Sequence, residues 1–401
     1  MSGWKKAKLG DCCVENGIQT GPFGSQLHQS DYSEAGTPVI MPKDIRDGRV
    51  VEDGIARVGE VHVKRLSRHR VAKNNIVYPR RGDVGKAAFI TGKEVGWLCG
   101  TGCLKVDLNE DVVDPVFIRY FLALNDSVSW LEKHAVGSTM LNINAGILAE
   151  LPIALPPLPT QRRIAAMLSD YDSAIDNARR QIALLEEAAM RLYREWFVVN
   201  ADPKWEKRQL WDVCDYFRGV SYTSKEIEGK DGVPLITLKN IERFGGFRED
   251  RSKTFSGVCK DGSSAGANDV LMAVTDMTKE RRLVGHVAMV PDTYDKAQFS
   301  MDLIRLKGKL VSDSFLYAML RYSTYADEFA VRASGANVLH LKPSSLDDCE
   351  VVVPKRVLCE KFDSTFVPMV QKKNALYRAI LRSTEARNRL LPKLMSGEVE
   401  V

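Results

Sequence analysis

No apolar run in the sequence reaches the roughly 18 residues of a membrane-spanning helix, and no charged-then-apolar leader is present. The expectation is therefore cytoplasmic residence with no membrane partner. None of the eight cysteines forms a C-x-x-C pair or stands at zinc-finger spacing from a histidine. They are expected to be reduced thiols packed as small apolar groups, with no metal and no cofactor bound by the chain. Catalytic signatures are missing too: there is no G-x-x-x-x-G-K-[ST], no G-x-G-x-x-G opening a helix, no H-E-x-x-H and no G-x-S-x-G. Gly82-Asp83-Val84-Gly85-Lys86 lacks the glycine spacing and following hydroxyl of a phosphate loop, and reads as a tight turn between strands. Pro156-Pro157 lies between leucines and cannot hold a flipped base, and Pro291-Asp292 has no acid-x-Lys behind it. These absences point to a protein that reads something and performs no catalysis.

Acids are missing from one stretch in particular. Between Val61 and Gly82 there is no Asp or Glu, while Lys64, Arg65, Arg68, Arg70, Lys73, Arg80 and Arg81 fall within it. The whole chain is only mildly basic, with a net charge of +5 and a pI near 8.6, so distribution carries more than the total. A smaller cluster, Lys279-Glu280-Arg281-Arg282, stands at a similar place later in the chain. Basic loops at matching places suggest a polyanion contacted twice.

What the sequence does have is a copy of itself. Gly36-Thr37-Pro38-Val39-Ile40-Met41-Pro42-Lys43-Asp44-Ile45 returns as Gly232-Val233-Pro234-Leu235-Ile236-Thr237-Leu238-Lys239-Asn240-Ile241. Trp4, Leu9 and Asp11 match Trp205, Leu210 and Asp212; Val84-Gly85 matches Val284-Gly285; Gly137 and Leu141 match Gly335 and Leu339. The offset far exceeds a solenoid period of roughly 20 to 50 residues, so this is a duplicated domain. At 401 residues and 44% hydrophobic, there is material for two cores. Within each copy, short β-type runs broken by Gly, Pro, Asn and Asp precede an amphipathic helix, Val116 to Leu124 and Phe315 to Leu320. Each copy is expected to be an α+β domain.

Each copy ends in an extended stretch closing on proline, and a long heptad pattern follows. From Gln161 to about Val198 there is neither Gly nor Pro. One seam reads Leu168, Ile175, Ile182, Ala189, Trp196, and the other Ile164, Tyr171, Ala178, Leu185, Leu192. At ~1.5 Å per residue this helix is roughly 50 Å long. The second copy repeats the register at Phe362, Phe366, Met369, Leu376, Ile380, Leu390 and Leu394, but Lys373, Ser383 and Arg387 occupy seam positions. Pro368 is expected to start or kink this helix, and Pro392 with Gly397 to stop it. Two such helices are expected to pack antiparallel, giving two heads with a helical spacer. The boundaries are 1–157 and 200–356 for the heads, 158–199 and 357–396 for the helices, and 397–401 for a tail.

Gly21-Pro22-Phe23-Gly24-Ser25-Gln26-Leu27, Gly36-x-Pro38-Val39-Ile40 and Leu155-Pro156-Pro157-Leu158-x-x-Gln161-Arg162-Arg163-Ile164-Ala165 resemble the specificity subunit of type I restriction–modification systems. So do Glu195-Trp196-Phe197 and Leu390-Leu391-Pro392-Lys393-Leu394-Met395-Ser396-Gly397-Glu398. The resemblance implies two target recognition domains, each reading half of a bipartite asymmetric double-stranded DNA target. Two conserved helices would dock two methyltransferase (modification) subunits, which methylate adenine with S-adenosylmethionine. Restriction subunits using ATP and Mg would join, in a prokaryotic, nucleoid-associated assembly, and none of these activities would lie in this chain. A related methylation-only or anti-phage system, a protein-only coiled-coil scaffold and an unrecognised DNA-modifying enzyme are the alternatives.

The DNA contacts implied are loop residues. In the first copy they are Thr20, Gly21, Phe23, Gly24, Ser25 and Gln26 in one turn, with Lys43, Arg80, Arg81 and Lys86. Arginine can read guanine and glutamine can read adenine, while glycine backbone approaches phosphates. The second copy departs from the family pattern, offering Arg218, Tyr222, Lys225 and Lys239, then Thr275, Lys279, Arg281, Arg282 and His286. Ser138, Thr139 and Asn142, with Asn337 and His340, are weaker candidates that could equally cap turns.

Overall fold

The short apolar runs pair into the same sheets in each copy. In the computed structural model, which describes residues 4–137, 140–229, 231–248, 252–278 and 280–401, two units form: Met1–Ser173 with Ser383–Val401, and Ala174–Arg382. The main sheet of the first runs Cys13–Thr20, Cys103–Leu108, Ile76–Pro79, Ala88–Phe89, all antiparallel. The second unit repeats it with Cys214–Arg218, Leu303–Gly308, Val270–Ala273 and Val287–Met289. A smaller sheet also recurs. Thr37–Ile40 lies between parallel Leu98–Cys99 and antiparallel Ala56–Val58. Val233–Ile236 lies between parallel Ala297–Phe299 and antiparallel Lys253–Phe255. Both units are α+β.

The shared sequence positions are the ones that close the backbone. Leu9 N donates to Leu151 O and Leu210 N to Cys349 O, each at 2.8 Å. Gly21 and Gly219 sit where a Cβ would fall 2.0 Å from the Gly100 carbonyl oxygen and 2.1 Å from that of Ser300, so only glycine lets these strand ends meet. The predicted amphipathic helices are Pro115–Leu122 and Asp313–Tyr322, slightly shifted from the expected bounds. Asp114 accepts from the amides of Val116 and Phe117, and Ser312 from that of Phe315, meeting donors that a helix N-terminus leaves free. The cores differ in kind. Ile164 and Leu168 complete a largely aliphatic cluster in the first unit, while Tyr193, Phe197, Phe315, Phe362 and Phe366 pack ring against ring in the second, edge to face between Phe197 and Phe315 and stacked between Phe362 and Phe366.

The long helices are Leu158–Arg194, extended by a π turn over Glu195–Val199, and Arg356–Ser396. In the first unit Ile164 and Leu168 pack with Leu394 and Met395, and in the second Ala189 and Tyr193 pack with Phe362 and Phe366. In each unit an early part of one helix thus meets a late part of the other, so the pair is antiparallel. The polar seam residues are not flaws. Lys373, 9% exposed, reaches Glu186, which also accepts from Tyr322 Oη at 2.9 Å. Arg387 reaches Asp172, which also accepts from Arg119 and, at 2.6 Å, from Tyr120. Burial alone would raise the Glu186 carboxyl, but the Lys373 ammonium holds it below its ordinary value.

Both prolines lie inside the second helix, so Pro368 does not start it and Pro392 does not stop it. Pro368 and Pro392 are exposed, so the carbonyls they free face solvent, where water can satisfy them. Gly397 does end the helix. At φ +71° its amide donates to Leu394 O and that of Glu398 to Lys393 O, the two bonds of a left-handed glycine cap. Among the described residues no helix is long and apolar enough to cross a membrane, and no group of three His, Cys, Asp or Glu is placed to hold a metal.

Candidate nucleic-acid interface

One end of the main sheet gathers the candidates in the first unit. Thr20 ends its strand, Gly21 N donates to Cys103 O, and Arg80 N donates to Gly102 O at 2.6 Å. The Gly100–Gly102 turn therefore separates the Gly21 and Arg80 segments, and Arg81 pairs with Asn142 beside them. Phe23 is 54% exposed beyond this turn, with Gly24 and Ser25 exposed at its tip. Gln26 Oε1 accepts from Phe23 N at 3.2 Å, so part of the side chain secures its own turn. Arg80 Nε is buried and unbonded among the described residues, while Arg81 is exposed with no ion pair among them.

The second unit closes the same sheet end with different side chains. Leu341 N donates to Val274 O as Ile143 N donates to Arg80 O, and Thr275 pairs with His340 as Arg81 pairs with Asn142. Val274 and Thr275 thus occupy the places of Arg80 and Arg81. A longer loop follows. Asp276, fully buried, accepts from Thr278 N, Thr278 Oγ1 and Leu283 N, each at 2.8 Å, and these bonds outweigh burial to hold its carboxyl below the usual range. Arg281 stands exposed on this loop at φ +53°, and Arg282 is half-exposed, 2.8 Å from Glu280. Arg282 O accepts from Phe244 N, tying the loop to a neighbouring turn. Arg218 and Lys225 are exposed, and Tyr222 and Lys239 line one cleft.

Several expected contacts are corrected by burial. Thr275 is 5% exposed and hydrogen-bonds toward His340, so its hydroxyl serves the sheet end. His286 is 5% exposed against Phe244; burial pushes its imidazole below the usual value, so it is a neutral interior ring. Gly21 is buried and contributes through backbone closure. Lys86 is tied to Asp83 at 2.6 Å and lines a hollow with Arg119 and Asp172, away from the Gly100–Gly102 turn. Lys43 donates to Gly54 O at 2.9 Å and lies 3.7 Å from Asp44. The acid-free stretch is not one loop: it comprises the helix Glu60–Arg65, the turn Ser67–His69 and the strand Ile76–Pro79. Lys279, Ser138 and Thr139 lie outside the described residues. Arg243, Arg248 and Lys253 were missed, because they cluster only once the small sheet folds.

Each unit is an α+β head packed on parts of two long antiparallel helices, and the matching sheet ends carry different side chains. Residues 1–187 match the family model described as the type I restriction modification DNA specificity domain. The type I restriction enzyme MjaIX specificity subunit of Methanocaldococcus jannaschii is 24% identical, the match covering 92% of this chain and 88% of that one. The HindI specificity subunit of Haemophilus influenzae is 20% identical over the whole of both chains. The crystal structure of a type I restriction–modification S subunit from M. genitalium shares the fold, with a TM-score of 0.59 at 17% identity over 98% of this chain and 96% of that one. The chain is similar to type I restriction–modification specificity subunits, over residues 1–187 by the family model and over most or all of its length by these relatives.

Proposed function

We propose that this chain is the DNA-reading subunit of a type I restriction–modification complex, each head recognising one half of a bipartite, asymmetric target. The observation that carries this is the sheet end common to both units. Main-chain bonds around Arg80 and Val274 are alike, while the side chains and loops they present differ. Like scaffolds with unlike surfaces suit two different half-sites on one duplex. The long helices act as the spacer and carry two adenine-methylating modification subunits that use S-adenosylmethionine. Restriction subunits driven by ATP and Mg join where the system has them. Arg80, Arg81, Arg281 and Arg282 contact DNA in this scheme, with the Thr20 to Gln26 turn and with Arg218, Tyr222, Lys225 and Lys239.

The test is to co-express the chain with its modification subunit and map methylated adenines across a genome. The expected result is a motif of two short specified halves separated by unspecified positions. A single uninterrupted motif, or methylation without sequence preference, overturns the proposal.

A further inference from the structure

The second unit holds a cleft lined by four cations, Lys239, Arg243, Arg248 and Lys253, with Tyr222 and the 70% exposed Met277 on its walls. Lys239, Arg243 and Lys253 form no ion pair among the described residues, and Arg248 acts on the Glu242 charge without a close pair. Among the described residues Asp302 is the one acid lining it, and it accepts a bond from Ser300. Elsewhere in the unit cations are neutralised locally, as Arg208 is by Glu206 at 2.7 Å and Lys309 by Asp215 at 3.1 Å. Like charges left facing each other without counter-ions cost stability, so their convergence points to an anion supplied from outside.

Comparison with the first unit shows how the cleft arises. There the matching lysine, Lys43, lies 3.7 Å from buried Asp44, and the neighbouring hairpin turn is Asp47-Gly48. In the second unit an amide, Asn240, replaces that acid. Fully buried, it accepts from Thr237 N at 2.9 Å and donates to Arg248 O at 3.0 Å and Ser252 Oγ at 2.8 Å. One neutral side chain thereby fixes the backbone bearing Lys239 and Arg248, and Lys239 has no counter-ion among the described residues. The turn corresponding to Asp47-Gly48 carries Arg243, and Phe244 N bonds Arg282 O, so this turn is held against the loop built on Asp276.

We infer that this cleft holds consecutive phosphates of one DNA strand, with Lys239, Arg243, Arg248 and Lys253 as backbone contacts that position the second head without reading letters. Asn240 is its positioning residue. The inference rests on the DNA-recognition reading above and extends it to a phosphate site. Four separate cations on a concave wall suit a polyanion with regular charge spacing, and the exposed Met277 on the wall is left to face base edges.

The experiment uses the complex with the modification subunit and a variant carrying Lys239→Gln, Arg243→Gln, Arg248→Gln and Lys253→Gln. Affinity is measured against salt for a target duplex and a scrambled duplex, and the methylated motif is mapped. Every phosphate that the variant no longer neutralises makes the slope of log affinity against log salt shallower by about 0.9, so a fall of roughly 3 to 4 is expected on both duplexes, with the motif unchanged. Exchanging each lysine for arginine and each arginine for lysine is expected to retain the slope. An unchanged slope in the Gln variant overturns the inference, and so does a changed letter in the motif, which would make these residues base readers. A native complex that does not discriminate between the two duplexes counts against the recognition reading itself.

Discussion

The two heads share a backbone down to individual hydrogen bonds and diverge at the same sheet end. In the first, the strand Ile76–Pro79 runs directly into Arg80 and Arg81. In the second, the matching positions are Val274 and buried Thr275, and the polar groups are carried out on a loop pinned by Asp276. The lesson is that this scaffold is held by main-chain bonds and glycine packing, which do not depend on what the loops display. Recognition surfaces can therefore change without destabilising the fold. The cores repeat the contrast, since Ile164 and Leu168 are aliphatic while Phe362 and Phe366 join an aromatic stack.

The sharpest way to break that contrast is in the cores. Phe362 is fully buried, with ring centroids of Phe197 and Phe366 at 5.3 and 5.1 Å. Phe362→Ala is expected to cost roughly 3–5 kcal/mol in denaturant unfolding, and Ile164→Ala, in the first core, about 2–3. Equal losses would mean that the aromatic packing adds nothing. Next, Glu186→Ala strands the Lys373 ammonium at a cost of about 3 kcal/mol, while Glu186→Leu with Lys373→Met is expected to be near neutral. Because the folded Glu186 carboxyl lies below its usual 4.5, its contribution is full above that value and is lost as pH falls through the lower folded value. An acid titration followed by circular dichroism should show less acid sensitivity in Glu186→Gln, and unchanged sensitivity would refute the ion pair's role.

Smaller effects separate the heads. Arg80→Ala with Arg81→Ala should relax one half of the methylated motif, each by about 1–3 kcal/mol of discrimination, and leave the other half intact. Asp276→Ala should relax only the opposite half, because Thr278 and Leu283 lose their acceptor and the Arg281 loop is no longer held. Both halves moving together in either variant would erase the distinction. The smallest change is Gly397→Ala, about 1 kcal/mol at a left-handed cap, read as a slightly lower unfolding midpoint.

Much of this was legible in the chain because it depends on local chemistry. The repeated Gly-x-Pro segment falls in Thr37–Ile40 and Val233–Ile236, and the heptads run along Leu158–Arg194 and Arg356–Ser396. Exposure was less legible. Thr275 and His286 are polar and sit among basic residues, yet the sheet end and Phe244 cover them. Lys373 and Arg387 read as breaks in a seam because the acids that meet them, Glu186 and Asp172, are 187 and 215 residues away.

By itself the sequence determined the duplication, the α+β character, the long helices and their register, since these follow from repeats, turn residues and apolar spacing along the chain. Tertiary structure alone decided which polar residues face solvent, which pair in the seam, and that Lys239, Arg243, Arg248 and Lys253 share one cleft. Burial and charge pairing are set by neighbours distant in sequence, and no periodicity records them.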